Sequence, residues 1–273
     1  VAATIRFERG RWFVSFTVEQ DTTVRAPARP DAVVGVDLGI KNLAMLAEPD
    51  RALAPVPNPK HLNAALRKLG RLSRRVSRRI GPDRRTGRVP SKRWKRANAQ
   101  RNRLHHTVAY QRADALHKFT TAIAAEYGTV VVEDLNVAGM LKNRRLARRI
   151  GDAGFGEIRR QLAYKIEWNG GRLIVADRWF PSSKTCSGCG VVKAKLLLSE
   201  RDYRCESCGL VMDRDENAAR NLAALAVAVS GAETLNGRGA DQKTRTTGQV
   251  AVKRPPGSPA CETGTASPEA VSV

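Results

Sequence analysis

Polar and apolar residues alternate in two short runs at the start of the chain, ATIRF and RWFVSFT, with Trp12, Val14 and Phe16 on one side of the second. The joint Glu8-Arg9-Gly10-Arg11 between them predicts a hairpin over residues 1–22. Two strands alone are marginal, so this hairpin requires further sheet. Thr23–Pro30, rich in Pro, Ala and Arg, reads as a linker. A second hairpin follows: Val33, Val34 and Val36 form a β-branched run ending in Asp37, Gly39 permits a tight turn, and Leu43 to Leu46 resume an apolar strand. Arg51 to Val56 predicts a third strand before the break at Pro57-Asn58-Pro59.

The apolar period then lengthens. Leu62, Leu66, Leu69, Leu72 and Val76 predict an amphipathic helix ended by Gly81-Pro82, with a loop prolonged from Gly87 to Pro90. A longer helix is expected from Ser91 to Glu126, burying Leu104, Val108, Leu116, Phe119 and Ile123, with Gly128 as its stop. Thr129–Val132 is apolar throughout, as in a sheet covered on both faces, and runs into Glu133-Asp134. Residues 141–153 read as a basic loop. Phe155, Ile158, Leu162 and Ile166 predict a helix closed by Gly170-Gly171, and Leu173–Ala176 a further strand. The alternation of strands and helices predicts an α/β class, a mixed sheet flanked by helices. From Gly231 onward the chain loses all periodicity, and residues 230–273 read as a disordered tail.

Charge adds a partner to this outline. Lys and Arg number 48 against 26 Asp and Glu, a formal charge of +22, while the 42% hydrophobic content still supports a core. So large an excess points to a polyanion. It is concentrated between Lys60 and Arg103, which hold 17 Lys and Arg and one acid, Asp83. The expected nucleic-acid contacts are Arg71, Arg74, Arg75, Arg78, Arg79, Lys92, Arg93, Lys95 and Arg96 on the helical hairpin 60–126. A solvated face is the plain alternative, but an almost single-sign field repels itself unless a partner compensates it. No run approaches eighteen apolar residues and no signal peptide opens the chain, which weakens membrane and secreted readings.

Cys186, Cys189, Cys205 and Cys208 read C-x2-C-x15-C-x2-C, each pair followed by glycine. Four thiolates at this spacing close a tetrahedral zinc site of structural type, whereas iron or disulfides suit it less well. Cys261 lies in the polar tail and is not expected to be a ligand. Four histidines are too few to suggest a histidine-based site. The acids are more suggestive: Asp37 and Glu133 at strand ends, and Asp213 with Asp215 at the start of an Ala- and Leu-rich helix. Taken singly they are a turn cap, a solvated strand end and a helix cap, although capping explains one of the last two better than both. Together they suit a sheet that gathers carboxylates around divalent metal.

GVDLGIKNLAM, VVVEDLNVAGM, DRWFPSSKTCSGCG and CESCGLVMDRDENAARNLA, in that order from about Arg11 to Leu225, resemble the RuvC-type nuclease half of TnpB/OrfB proteins. These are RNA-guided DNA endonucleases of insertion sequences, often labelled transposases, and are related to type V CRISPR effectors. The resemblance implies an RNase H-like fold with a zinc ribbon before the last catalytic acid. Asp37, Glu133 and Asp215 would be the catalytic carboxylates holding Mg²⁺ or Mn²⁺, with Asp213 the alternative third, and the four cysteines the zinc ligands. It implies guide RNA and target DNA as partners, with a full-length relative or a separate transposase of the same transposable element as a further one, in a prokaryotic, nucleoid-associated, cytoplasmic setting without membrane. It divides the chain into a last barrel hairpin (1–22), a nuclease core (31–180), a zinc ribbon (181–211) and a final acid with its core helix (212–229). The sequence begins in that hairpin, with Val1 rather than Met, so the barrel that precedes this half in the family is expected to lie outside this sequence, whether or not the protein itself has it. Two rivals remain: a nucleic-acid-binding or regulatory module without its own nuclease activity, and a zinc-ribbon transcription factor, which leaves Asp37 and Glu133 unexplained.

Overall fold

The computed structural model of the protein describes residues 2–8, 11–19, 25–197 and 199–235. The opening hairpin, β1 (Ala2–Glu8) and β2 (Arg11–Thr17), is antiparallel and forms its own two-stranded sheet. Its Ile5, Phe7, Trp12, Val14 and Phe16 are exposed. The Asp37 hairpin is β3 (Arg29–Leu38) and β4 (Asn42–Ala47), with Asp37 opposite Met45. β3 therefore begins inside the stretch read as a linker. Of the expected third strand, only the Ala47–Ala52 bridge and β5 (Val56–Pro57) form. Pro55 and Pro57 have no N–H to continue a ladder.

α1 (His61–Ser77) stops short of Gly81 and packs along α2 (Lys92–Glu126), which Ser91 caps by accepting the Trp94 N–H at 3.1 Å. β6 (Tyr127–Glu133) follows α2 without a loop. Gly128, expected to stop the helix, lies inside that strand instead. A Cβ there would sit 1.7 Å from the Pro30 carbonyl oxygen, so its need is set by the neighbouring strand. α3 (Val137–Leu141) leads into the basic stretch 141–153 expected as a loop, which instead holds α4 (Ala147–Ala153), with Ile150 and Ala153 buried in the core. α5 (Phe155–Trp168) and β7 (Arg172–Ala176) follow as expected. After the cysteine region, with β8 (Asp202–Arg204) and β9 (Val211–Asp213), α6 (Arg214–Leu235) runs past the point where the tail was to begin. Residues 236–273, including Cys261, lie outside the described residues.

The central sheet has the order β5-β4-β3-β6-β7, with β3, β6 and β7 parallel and β4 antiparallel to β3. Side chains alternate across it. Val34, Val36, Val130 and Val132 face Phe155, Ile158, Leu162 and Ile166 of α5 and Leu116 and Ile123 of α2. On the other face, Val33, Val131, Ile174 and Ala176 meet Leu222, Leu225 and Ala226 of α6. Both faces are thus covered, as the continuous apolar run of β6 predicts. By the same alternation, Asp37 and Glu133 belong to the α6 face. Among the described residues no helix is long and apolar enough to cross a membrane.

Candidate active site and metal centre

Parallel pairing of β3 and β6 runs to Val36 opposite Val132, so the next residue on each strand, Asp37 and Glu133, stands at the same end of the sheet. α6 brings the third acid. Gly35 lies so close to this helix that a Cβ would be 2.0 Å from Ala219 O and 2.6 Å from Ala223 N. From that contact, one helical turn back to Asp215 covers about 6 Å, and two strand residues forward to Asp37 cover about 6.6 Å. The close approach at Gly35 therefore sets the first turn of α6 over Asp37. The carboxylates feel one another: burial first, then Glu133 and Asp215, pushes the Asp37 carboxyl well above its usual range, and Arg214 partly offsets this.

Neighbouring acids have other work. Asp213 Oδ1 accepts the backbone N–H groups of Asp215 at 2.8 Å and Glu216 at 3.3 Å, so Asp213 caps α6. Arg214 already begins the helix, so Asp213, the last residue of β9, and Asp215, in the first turn of α6, do not lie on one extended strand. Asp134 is held between Arg159 and Arg178, the latter at 2.6 Å, and these guanidinium groups lower its pKa. Glu133 takes a different partner: its Oε1 accepts the hydroxyl of buried Ser182.

The sulfurs of Cys186, Cys189, Cys205 and Cys208 all lie within 4.8 Å of one another. Cys186–Cys208 and Cys189–Cys205 are each 3.6 Å apart, too far for a disulfide and close to the ~3.8 Å edge of a tetrahedron with 2.3 Å metal–sulfur bonds. Gly190 and Gly209, at φ 77° and 76°, turn the backbone after each pair. Amides of Cys208 and Ser207 point at Cys205 and hold its thiol down to about 6. Among the described residues this quartet is the one group of three or more Cys, His, Asp or Glu placed to share a single ion.

Of the basic residues expected at a nucleic acid, Arg71, Arg74, Arg75, Arg78, Lys92, Arg93, Lys95 and Arg96 are exposed on α1 and the start of α2. Arg79 is half-buried and donates to Arg93 O at 2.7 Å. Reading along the chain missed a second basic surface. A cavity of 540 Å³ is lined by Lys41, Lys60, Arg148, Arg149, Arg201 and Arg214, with Asp152 the one acid. Both Asp152 oxygens already accept the Leu62 N–H, at 3.1 and 3.0 Å. Arg214 joins this cavity to the carboxylates, its Nε 3.7 Å from Asp215 Oδ1. Ser182, Asn217 and Asn221 were also missed; the two asparagines are a polar pair at helical spacing in an otherwise Ala- and Leu-rich run, which was the available signal.

Residues 15–144 match the family model described as a probable transposase of the OrfB type, and residues 155–222 match that of the Cas12f1-like TNB domain. A Streptomyces pristinaespiralis protein that carries the name RNA-guided DNA endonuclease is 41% identical over 92% of this chain and 58% of its own length. One from Mycobacterium tuberculosis with the same description is 40% identical over 89% of the chain and 53% of its own length. The chain thus spans somewhat over half the length of these relatives. The Cas12f1 chain of a cryo-EM complex with sgRNA and target DNA shares the fold with a TM-score of 0.51, at 17% identity, over 80% of this chain and 55% of that one.

Proposed function

We propose, from the match of residues 15–144 to the OrfB-type probable transposase and of residues 155–222 to the Cas12f1-like TNB domain, that the chain is of the TnpB/OrfB family and is the nuclease part of an RNA-guided, divalent-metal-dependent DNA endonuclease of a transposable element. The observation that carries the reading is the meeting of Asp37, Glu133 and Asp215 at one end of the sheet, with Asp213 and Asp134 committed elsewhere. Residues 31–180 would be its RNase H-like core, with the basic hairpin at 60–126. Residues 181–211 would be a zinc ribbon, and 212–229 would carry the last acid.

Asp37, Glu133 and Asp215 offer hard oxygen donors suited to Mg²⁺ or Mn²⁺. Held there, such ions would supply an activated water and stabilise the leaving 3′ oxygen. The cavity around Lys41, Lys60, Arg148 and Arg149 holds the phosphates of the strand to be cut, since it adjoins the acids through Arg214. The exposed face of α1 and α2 grips phosphate backbones without reading bases. The test is cleavage of a plasmid by the protein co-expressed with RNA from its own locus, with and without Mg²⁺. Absence of metal-dependent cutting despite bound RNA moves the assignment to a binding module.

Two further results are expected. The double variant Arg148→Ala/Arg149→Ala should weaken single-stranded DNA binding and flatten the dependence of log affinity on log salt by about 1.4, as for two lost phosphate contacts. Fluorescence anisotropy across a salt series measures this, and an unchanged slope places the strand elsewhere. The four cysteines would hold one Zn²⁺, and around so small an apolar cluster, Tyr203 with Leu196, Leu210 and Met212, the metal contributes most of the local stability. Cys205→Ser should lose the zinc and open residues 181–213 to proteolysis while the central sheet stays protected.

A further inference from the structure

We propose that Ser182, Asn217 and Asn221 are positioning residues that couple the cysteine centre to Glu133, so that one rigid element orients the carboxylate for its ion. The proposal rests on the carboxylate reading above.

Residues 181–187 link the end of the sheet to the first cysteine pair. This segment folds on itself, with the N–H groups of Lys184 and Thr185 and the Thr185 hydroxyl all donating to Pro181 O at 2.9 Å. At its start the Ser182 hydroxyl donates to Glu133 Oε1. At its end Cys186 enters the quartet, its sulfur 3.6 Å from that of Cys208. α6 clamps the stretch between. Asn221 Nδ2 donates to the carbonyls of both Ser182 and Thr185 at 2.7 Å, and Asn217 Nδ2 donates to Thr185 O at 2.7 Å. Asn217 Oδ1 accepts the Ser187 N–H at 2.9 Å, one residue past Cys186.

Four residues apart, the two asparagines share one side of α6. They are 0% and 6% exposed, and buried amides are costly unless their hydrogen bonds are made. Every side-chain hydrogen bond they make among the described residues goes to the 182–187 segment. The same helix carries Asp215 two residues before Asn217. Contacts therefore close a ring: from α6 through the asparagines to residues 182–187, through Cys186 and Cys208 to β9, and back into α6 at Asp213. Ser182 projects from this ring onto Glu133. The ladder fixes the Glu133 backbone, but its side chain has free torsions that only a contact at the carboxylate can still. Ser182 engages Oε1 and leaves Oε2 for an ion; Oε2 has no hydrogen bond from the described residues.

Supporting contacts to metal ligands typically govern affinity by about 10- to 100-fold. The test is an electron paramagnetic resonance titration of the zinc-loaded chain with Mn²⁺, beside Asp37→Ala, Ser182→Ala, Ser182→Thr and Asn221→Ala. Thermal unfolding and zinc content are measured for each. Ser182→Ala should weaken Mn²⁺ by about 10-fold or more with zinc content and unfolding midpoint unchanged. Ser182→Thr, which keeps the hydroxyl, should restore most of it, and Asn221→Ala should weaken Mn²⁺ while zinc stays bound. Wild-type Mn²⁺ affinity in Ser182→Ala overturns the role of the hydroxyl, and wild-type affinity in Asn221→Ala overturns the link to the cysteine centre. Mn²⁺ that fails to bind the wild type, or binds Asp37→Ala equally well, overturns the carboxylate reading itself.

Discussion

Asp37→Asn is expected to abolish metal-dependent cleavage while leaving the fold, the zinc content and RNA binding in place. The amide keeps the shape of the side chain but not the charge that compensates a divalent ion. As Asp37 would itself hold the ion, the loss should exceed the ~100-fold that removal of a supporting contact costs. Stability supplies the control against misfolding. The folded protein raises the Asp37 pKa, chiefly by burial and then by the two other acids. An acid with a raised folded-state pKa opposes folding increasingly as pH climbs from its unfolded value through its folded one. Near neutral pH the metal-free Asn variant should therefore melt at or above the wild-type temperature. Adding Mn²⁺ should reverse that order, because the ion stabilises only a chain that binds it. A plasmid time course and two melting curves per protein measure all of this. An Asp37→Asn chain that still cuts would remove Asp37 from the mechanism.

Features that depend on near neighbours along the chain are legible in the sequence alone. Asp37 and Glu133 end runs of β-branched residues, which places them at strand ends. The cysteine quartet follows from its spacing, and α2 and α5 from their apolar period. Features set by distant contacts are not legible in this way. Gly128 obeys a local rule for helix stops, yet its real constraint is Pro30 on the adjoining strand. α4 hides its buried face, Ile150 and Ala153, among arginines that suggest solvent. The cavity beside the acids draws its cations from several separate segments, so no single window contains it. The choice between Asp213 and Asp215 needs the geometry of one helix turn, in which the first caps and the second stands within reach of Arg214 and the sheet. Ser182 sits within a motif that assigns it no role, because a serine shows its purpose only through the acid it touches.

Gly35→Ala should be the most damaging change of a single methyl group that the sheet can suffer on its α6 side. The added carbon would meet Ala219 O at 2.0 Å and Ala223 N at 2.6 Å, whereas ordinary contact begins at 3.4 Å. Both obstructing atoms are backbone, so no rotamer change relieves the clash and the helix must back away by about 1 Å or more. That opens the packing of Leu222 and Ala226 against Val131 and Ala176 and lifts Asp215 from Asp37. Overpacking typically costs 1–3 kcal/mol, and a blocked backbone belongs at or above the top of that range. A loss of about 3 kcal/mol lowers the melting temperature by roughly 6–12 °C in a chain of this size. Gly70→Ala is the matched control, since a Cβ there finds only Arg74 Nη1, at 3.8 Å. In the interior of α1 the same methyl should stabilise by up to about 1 kcal/mol. Opposite signs for one chemical change would place the close approach of α6 at Gly35. Equal melting temperatures for wild type and Gly35→Ala would mean that α6 does not lie on β3 there, and Asp215 would lose its place above Asp37.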